Sequence, residues 1–212
     1  IQVLKNPQSW LNAFFAGLIF MPTLAFGEAW GTPYLIQVKG FSLHEAGFAD
    51  SVLFTGWVIG GVLVGSLSDY IQQRKPIFYF SAILSAIFMS LVIFIPNISF
   101  EFCSLCLFAY GLSNTGLITS YALSGEINAP GISGVSVSFC NLVSVLLGAL
   151  WIPVIGYVFD MYGSKVIAGV HIYPMEAYQQ VFLSFPFVLL FSALVALGIK
   201  ETNCRNVTLH HE

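Results

Sequence analysis

The sequence predicts an all-α integral membrane protein with six transmembrane helices. Its 212 residues are 57% hydrophobic and only 8% charged, and the mean hydropathy is +0.85. A soluble domain carries about 25% charged residues, so water is not the main solvent of this chain. Crossing a hydrocarbon core about 30 Å thick requires about 20 helical residues. Six apolar segments are long enough, and these predicted spans are Trp10–Ile36, Ala46–Leu67, Ile77–Pro96, Phe100–Ser124, Val135–Phe159 and Tyr178–Ile199.

The basic residues predict that both termini are cytoplasmic. An even number of spans places both termini on one side of the membrane. Cytoplasmic loops carry an excess of Lys and Arg. Of the 7 basic residues, five fall on the side of the termini and two on the other, namely Lys5, Arg74, Lys75, Lys200 and Arg205 against Lys39 and Lys165.

Composition also argues against several classes of function. A net charge of −3 with scattered basic residues offers no patch for nucleic acid. Most of the 4 cysteines lie in apolar segments, which predicts no disulfide framework. No pair of histidines has ligand spacing within a span, so we expect no metal and no cofactor. Because no charged region with a cleavage site precedes the first span, we expect no signal peptide and a chain that begins partway through a longer protein.

An internal repeat connects the second and fifth spans. Both end in Gly-x-x-x-Asp-x-x-x-x-Arg/Lys, with a constant separation of 91 residues between Gly65, Asp69 and Arg74 and the later Gly156, Asp160 and Lys165. The two spans run in opposite directions, so the two copies end on opposite faces of the membrane. This pattern predicts a three-plus-three inverted repeat, the internal symmetry of many secondary transporters.

The hairpin after the second span places charges where they need partners. Asp69 lies near the carboxyl end of its predicted helix, where the helix dipole disfavours an acid. We therefore expect Asp69 to have a partner elsewhere, acting as a latch.

The same hairpin resembles the signature of the major facilitator superfamily of transporters, Gly-x-Leu-x-Asp-(Arg)-x-Gly-Arg-Arg/Lys. The matching residues are Gly65, Leu67, Asp69, Arg74 and Lys75. Tyr70 replaces the usual basic residue, and Gln72 and Gln73 replace Gly-Arg, departures that are more typical of the second half of such transporters. Two further stretches of this chain are similar to helices in the second half of such transporters. They are Gly125-Glu-Ile-Asn128-Ala-Pro130 and the fifth-span series Asn141, Gly148, Pro153, Gly156 and Asp160.

The resemblance covers nearly the whole chain. It implies the carboxyl-terminal six-helix half, helices seven to twelve, of a twelve-helix carrier, with the amino-terminal half as its partner. In this family the signature Asp meets a helix N-terminus of the other half, and the signature Arg pairs with an acid of a neighbouring helix. The resemblance assigns these roles to Asp69 and Arg74, with Glu126 as the acid, and includes Gly65 and Lys75 in the same cytoplasmic gate.

Glu28 is the most informative single residue for transport. It lies inside the first span, where an ionisable side chain is costly and normally faces a cavity or a partner. Gly27, Gly31 and Pro33 around it predict an interrupted helix, a frequent feature of substrate sites. Glu28 is a candidate for proton coupling or substrate contact, and the alternative is an interfacial acid at the helix end.

The fourth span carries Tyr110, Asn114 and Tyr121 at spacings that place them on one helical face. In the resembling family the first and fourth helices of each half line the central cavity, so this stripe is a candidate substrate wall. Interhelical hydrogen bonding is an equally good interpretation. Asn141 in the fifth span is a further candidate, with helix association as its alternative role. Close helix packing is predicted at Gly56-x-x-x-Gly60 and Gly61-x-x-x-Gly65.

Taken together, these features predict one half of a secondary active transporter, a proton symporter and not an enzyme. It would move a small polar metabolite across the bacterial inner membrane by alternating access, and amino acids, peptides, sugars and organic anions all remain candidates. One alternative is an intramembrane serine protease, because Gly131-Ile-Ser133-Gly134 resembles the rhomboid nucleophile motif. That chemistry needs a nearby histidine; no predicted span contains one, and Ser133 is expected to cap the fifth helix. Another alternative is a six-helix protein that dimerises into a carrier.

Overall fold

A computed structural model, which describes residues 2–167 and 170–210, confirms six helical spans of membrane length. From here on the spans have the observed bounds, which are Pro7–Gln37, Leu43–Ile71, Lys75–Phe94, Phe100–Glu126, Pro130–Tyr162 and Met175–Gly198. The end of the bundle that carries both termini and Arg74 is called the Arg74 end, and the opposite end is called the Lys165 end.

Three of the spans are not single α-helices. The first consists of an α-helix, a π-helical segment and a second α-helix, with bounds Pro7–Thr23, Leu24–Trp30 and Gly31–Gln37. The fourth is divided into Phe100–Ser113 and Gly116–Glu126, and the fifth opens with a 3₁₀ turn, Pro130–Ile132, before Ser133–Tyr162. Outside the spans lie the short helix Gln2–Lys5, a β-hairpin of Lys165–Ile167 and Val170–Ile172, and the 3₁₀ turn Val207–His210.

Local sequence explains several of the helix ends. Ser42 and Glu45 form a reciprocal capping box at the start of the second span. That span ends at Gln72, whose φ of 54° is left-handed and stops the helix. Ser99 caps the fourth span. The expected cap at Ser133 is wrong, because Ser133 is already the first residue of its helix and Ile132 occupies the cap position.

The packing of the spans confirms the three-plus-three inverted repeat. The second span packs along the fourth and the first along the fifth, while the third packs on the sixth. The third also contacts the fourth, and the first contacts the sixth. If spans one, two and three are exchanged with spans four, five and six, the same set of contacts results. In the most apolar stretch of each span, only 22% of the residues of the second and fifth spans are buried, against 67% for the first and fourth. The first and fourth therefore form the centre of the bundle.

Glycines let the second and fourth spans cross at backbone contact. A Cβ on Gly56 or Gly60 would overlap the carbonyl oxygens of Phe108 and Leu112, and one on Gly111 would overlap that of Leu53. The predicted packing role of Gly56-x-x-x-Gly60 is thus confirmed. The second predicted pair is wrong in one member, because no neighbouring atom lies within 4 Å of a Cβ built on Gly65.

We expect Gly111→Ala to destabilise the bundle, because the new methyl group would meet the Leu53 backbone, which cannot turn aside as a side chain can. Overpacking of this kind costs about 1–3 kcal/mol. Gly47→Ala is the matched control, since its Cβ would meet nothing within 4 Å and alanine is the better helix former. Thermal unfolding in detergent should give a lower Tm for Gly111→Ala alone. Equal values for both variants would contradict the close crossing.

Candidate functional site

The first and fourth spans are interrupted at corresponding positions. The interruption predicted in the first span is confirmed, and it takes the form of the π-helical segment that follows Pro22 and Thr23. The fourth span breaks at Asn114 and Thr115, which the sequence analysis did not predict. Asn114 follows Thr23 by 91 residues, the separation of the repeated motif. Interrupted helices at equivalent positions of two repeats are typical of transporter binding sites.

The two interruptions touch each other through buried side chains. Thr23 Oγ1 donates a hydrogen bond to Asn114 Oδ1 at 2.9 Å, which leaves the Tyr110 hydroxyl, 2.8 Å away, to donate to Thr23. Asn114 Nδ2 donates to the carbonyl of Ile19 at 3.0 Å. Thr23, Tyr110 and Asn114 are all buried. In this conformation Tyr110 and Asn114 therefore join the two central spans by interhelical hydrogen bonds.

Tyr121 does not share the buried contact of Tyr110 and Asn114. It lies beyond the break at Asn114 and Thr115 and is only half-buried. Its hydroxyl donates to Oδ1 of Asn141 at 2.9 Å, and Asn141 is exposed on the fifth span. A role for these residues in substrate binding stays a prediction.

Glu28 lies on the π-helical segment with an exposed side chain. Within the described residues it has neither a salt bridge nor a side-chain hydrogen bond. Gly27 beside it faces the ring of Phe54, so the segment lies against the second span here. An exposed carboxylate inside a membrane span needs water or a polar partner outside the described chain. A carboxylate that couples transport to protons also needs access to water or to a polar partner. The coupling role of Glu28 itself stays a prediction.

Arg74 is the centre of an ionic cluster at the Arg74 end. Its Nη2 lies 2.5 Å from Glu126 Oε1 and its Nη1 lies 2.8 Å from Asp69 Oδ1. The same Nη1 donates to Ser68 Oγ at 2.8 Å. The predicted pair of Arg74 and Glu126 is therefore present. The expectation for Asp69 needs correction, because this acid already has a partner within the chain; contact with another half stays a prediction.

The segment after the sixth span closes this cluster, which the sequence analysis missed. Glu201 accepts hydrogen bonds from the backbone N–H groups of Arg74 and Lys75 at 2.8–3.0 Å, where the third span begins. Thr202 Oγ1 donates to Glu126. Partial burial alone would raise the pKa of Glu201, but the hydrogen bonds from backbone N–H groups outweigh it and hold that pKa below its ordinary value. A carboxylate at a helix N-terminus is also favoured by the helix dipole.

We expect Glu201→Gln to lower thermal stability at neutral pH and to have little effect in strong acid. A carboxyl group whose pKa is lower in the folded state adds stability above its unfolded pKa, and that stability is lost as the pH falls through the folded value. Melting curves of the wild type and the variant should therefore converge on acidification. Glu176→Gln, at the exposed start of the sixth span, is the control. A constant difference in Tm at every pH would contradict the capping role.

A neutral arrangement occupies the equivalent place at the Lys165 end. Gln37 precedes Glu126 by 89 residues and ends the first span as Glu126 ends the fourth. Gln37 Oε1 accepts from the Tyr173 backbone N–H and from the Tyr178 hydroxyl, at 3.2 and 3.1 Å. Its Nε2 donates to the His171 carbonyl at 3.2 Å. The repeat thus places an ionic contact at one end of the bundle and an amide contact at the other.

A carboxylate that the sequence analysis did not single out lies in the second span. Asp50 Oδ2 is 3.5 Å from the hydroxyl of Thr32, and Asp50 Oδ1 is buried without a hydrogen-bond partner in the described part of the chain. The signal was available, since an ionisable residue inside a predicted span is unusual.

No profile of a known protein family matches the chain. The probable galactarate/D-glucarate transporter GudP of Escherichia coli strain K12 is 30% identical over 159 residues, and the match covers 69% of this chain and 34% of that protein. The xylose transporter XylE from E. coli, in a partially occluded inward-open conformation, superposes with a TM-score of 0.72 at 17% identity. Its inward-open conformation gives 0.69 at 16% identity. Each superposition covers 92% of this chain, which spans 50% and 48% of the XylE chains.

The architecture is that of one half of a twelve-helix membrane transporter. The chain is a six-helix half of the major facilitator superfamily fold.

Proposed function

We propose that this chain is the carboxyl-terminal half, helices seven to twelve, of a proton-coupled secondary transporter for a small sugar acid. The observation that carries the proposal is the pair of interrupted central spans, joined at Thr23 and Asn114, one of which exposes Glu28. The name of the similar E. coli protein, a probable galactarate/D-glucarate transporter, supports the substrate class. The departures from the signature at Tyr70, Gln72 and Gln73 support the assignment to the second half.

The contacts at the two ends of the repeat support alternating access. The ionic contacts of Arg74 hold the Arg74 end together, and the amide contacts of Gln37 hold the Lys165 end. In a carrier these ends open in turn, while the central spans keep their buried junction. We place the Arg74 end and both termini in the cytoplasm of a bacterial cell, in agreement with the excess of basic residues there.

The proposed substrate must be bound by two different kinds of group. Six of the 7 Lys and Arg residues lie outside the six spans, and the seventh, Lys75, is the first residue of the third span. To a bound sugar acid, this half therefore offers hydroxyl and amide groups, such as those of Tyr121 and Asn141, and the carboxyl group of Glu28. The cations that neutralise the substrate carboxylates belong, in this proposal, to the other half of the transporter.

Uptake of labelled D-glucarate by the full-length protein in proteoliposomes tests this proposal. With the vesicle interior alkaline, we expect accumulation that a protonophore abolishes and that unlabelled galactarate inhibits. Unlabelled D-xylose is the control competitor and should not inhibit. Inhibition by xylose alone would replace the sugar acid by a sugar. If neither compound is transported by folded protein, a thermal-shift screen of metabolites identifies the ligand class, because a specific ligand raises Tm.

A further inference from the structure

The inverted repeat contains two equivalent polar contacts between neighbouring spans. Thr32 meets Asp50 between the first and second spans, and Tyr121 meets Asn141 between the fourth and fifth. Asn141 follows Asp50 by 91 residues, the separation of the repeated motif. Tyr121 follows Thr32 by 89 residues, the same separation that relates Gln37 to Glu126. The separation is thus 89 in the part of the first span beyond the π-helical segment and 91 again in the second span, so the two contacts occupy corresponding positions in the two repeats.

The two contacts differ in whether they can titrate. Asn141 has an amide, which stays neutral at every physiological pH, and its hydrogen bond with Tyr121 is 2.9 Å long. Asp50 has a carboxyl group of nearly the same shape, but the distance to Thr32 is 3.5 Å and Oδ1 has no partner in the described residues. A buried carboxylate with an unsatisfied oxygen is costly unless it is neutralised.

The surroundings of Asp50 provide no neutralising cation. Asp50 is seven residues from the start of the second span at Leu43, about 10 Å along the helix and within the depth of the hydrocarbon core. The salt bridges of the described residues all involve Arg74, which lies just beyond the far end of the second span. Lys39 donates to the carbonyls of Ile93 and Ile95 instead. The titratable side chains on the segments packed against this span are Glu28, Tyr34, Glu101, Cys103, Cys106, Tyr110, Tyr121 and Glu126, and none of them is hydrogen-bonded to Asp50.

We propose that Asp50 is a proton-binding site that controls the contact between the first and second spans at the Lys165 end. In the present conformation the carboxyl group holds its proton and imitates the amide of Asn141. When it releases the proton to water, the carboxylate requires hydration, so the Thr32 contact opens and the two spans separate. Proton binding closes the contact again. The contact of Tyr121 and Asn141 at the other end of the repeat is independent of pH.

Protonation of Asp50 can be measured without any substrate. Dicyclohexylcarbodiimide reacts with protonated carboxyl groups in apolar surroundings, and peptide mapping of the full-length protein in vesicles locates the adduct. At neutral pH we expect modification of Asp50 that declines as the pH is raised. Exposed Glu101, in the first turn of the fourth span, is the internal control and should stay unmodified. Modification of Asp50 no greater than that of Glu101 would overturn the proposal.

A reciprocal exchange of the two repeat positions provides a second test. Asp50→Asn makes the first contact permanently neutral, and Asn141→Asp introduces a carboxyl group into the second. The wild type is expected to lose thermal stability as the pH rises from about 4, the ordinary pKa of an aspartate, to the pH at which Asp50 releases its proton, while Asp50→Asn is expected to lose this dependence and Asn141→Asp to strengthen it. Parallel pH profiles for the wild type and Asp50→Asn would contradict the proposal.

Only the consequence for coupling depends on the proposed transport function. Failure to transport D-glucarate would refute the proposed substrate and leave carbodiimide modification and pH-dependent stability as they are. A wild-type protein that transports D-glucarate without modification of Asp50 would refute this inference alone.

Discussion

Arg74→Ala is expected to cause the largest loss of stability of any single change at the Arg74 end. The side chains of Arg74 and Glu126 are only 6% and 13% exposed, so the substitution leaves a carboxylate buried without its cation. Removing one partner of a buried ion pair costs about 3–5 kcal/mol. We expect a clearly lower Tm and a smaller folded fraction in size-exclusion chromatography of the full-length protein.

A double substitution separates the ion pair from simple loss of packing. Arg74→Ala combined with Glu126→Ala should be less destabilising than the sum of the two single changes, because the double variant has removed both charges and leaves neither of them buried alone. Asp69→Asn is the control within the same cluster. Since the Asp69 side chain is 68% exposed, its contact with Arg74 contributes at most about 1 kcal/mol. Additive effects of Arg74 and Glu126 would contradict the central place of their pair.

Glu28→Gln is expected to abolish proton-driven accumulation of substrate while the protein remains folded. Glutamine keeps the size of the side chain and removes its ability to carry a proton. Because Glu28 is exposed, and has no partner among the described residues, the folded state loses no internal contact. Gradient-driven uptake should therefore fall to the level of empty vesicles. Exchange of labelled for unlabelled substrate, which needs no net proton movement, should continue.

Glu101→Gln is the matched control for this experiment, because Glu101 is an exposed acid at the end of a span. It should leave both uptake and exchange unchanged. Full accumulation by Glu28→Gln would exclude the coupling role. A loss of exchange as well as accumulation would instead indicate that Glu28 binds the substrate.

The features that could be predicted from the sequence are those with a local physical cause. Six apolar runs gave six spans, since the length of a helix across a membrane is fixed by the thickness of the hydrocarbon core. Gly27, Gly31 and Pro33 predicted the interruption of the first span, because such residues weaken regular helix. The pair of Arg74 and Glu126 was expected from a family resemblance, and the structure contains it.

The features that were missed depend on contacts between distant parts of the chain. Glu201 reaches the start of the third span from 127 residues away, and no local pattern marks such a contact. The break at Asn114 has no proline to signal it, and its buried bonds to Thr23 and Ile19 form only when two repeats come together. The different partners of Tyr110 and Tyr121 were missed because an unbroken helix was assumed there.

The exchange-symmetric packing has a consequence for how the protein is made. The second span fits the fourth and the first fits the fifth, so each close pairing joins helices from different repeats. When only the first three segments have left the ribosome, the glycine surface at Gly56 and the hydroxyl of Thr23 both lack their counterparts. The close packing of the first triplet is therefore completed only after the fourth and fifth spans have been synthesised, by interleaving of the two triplets.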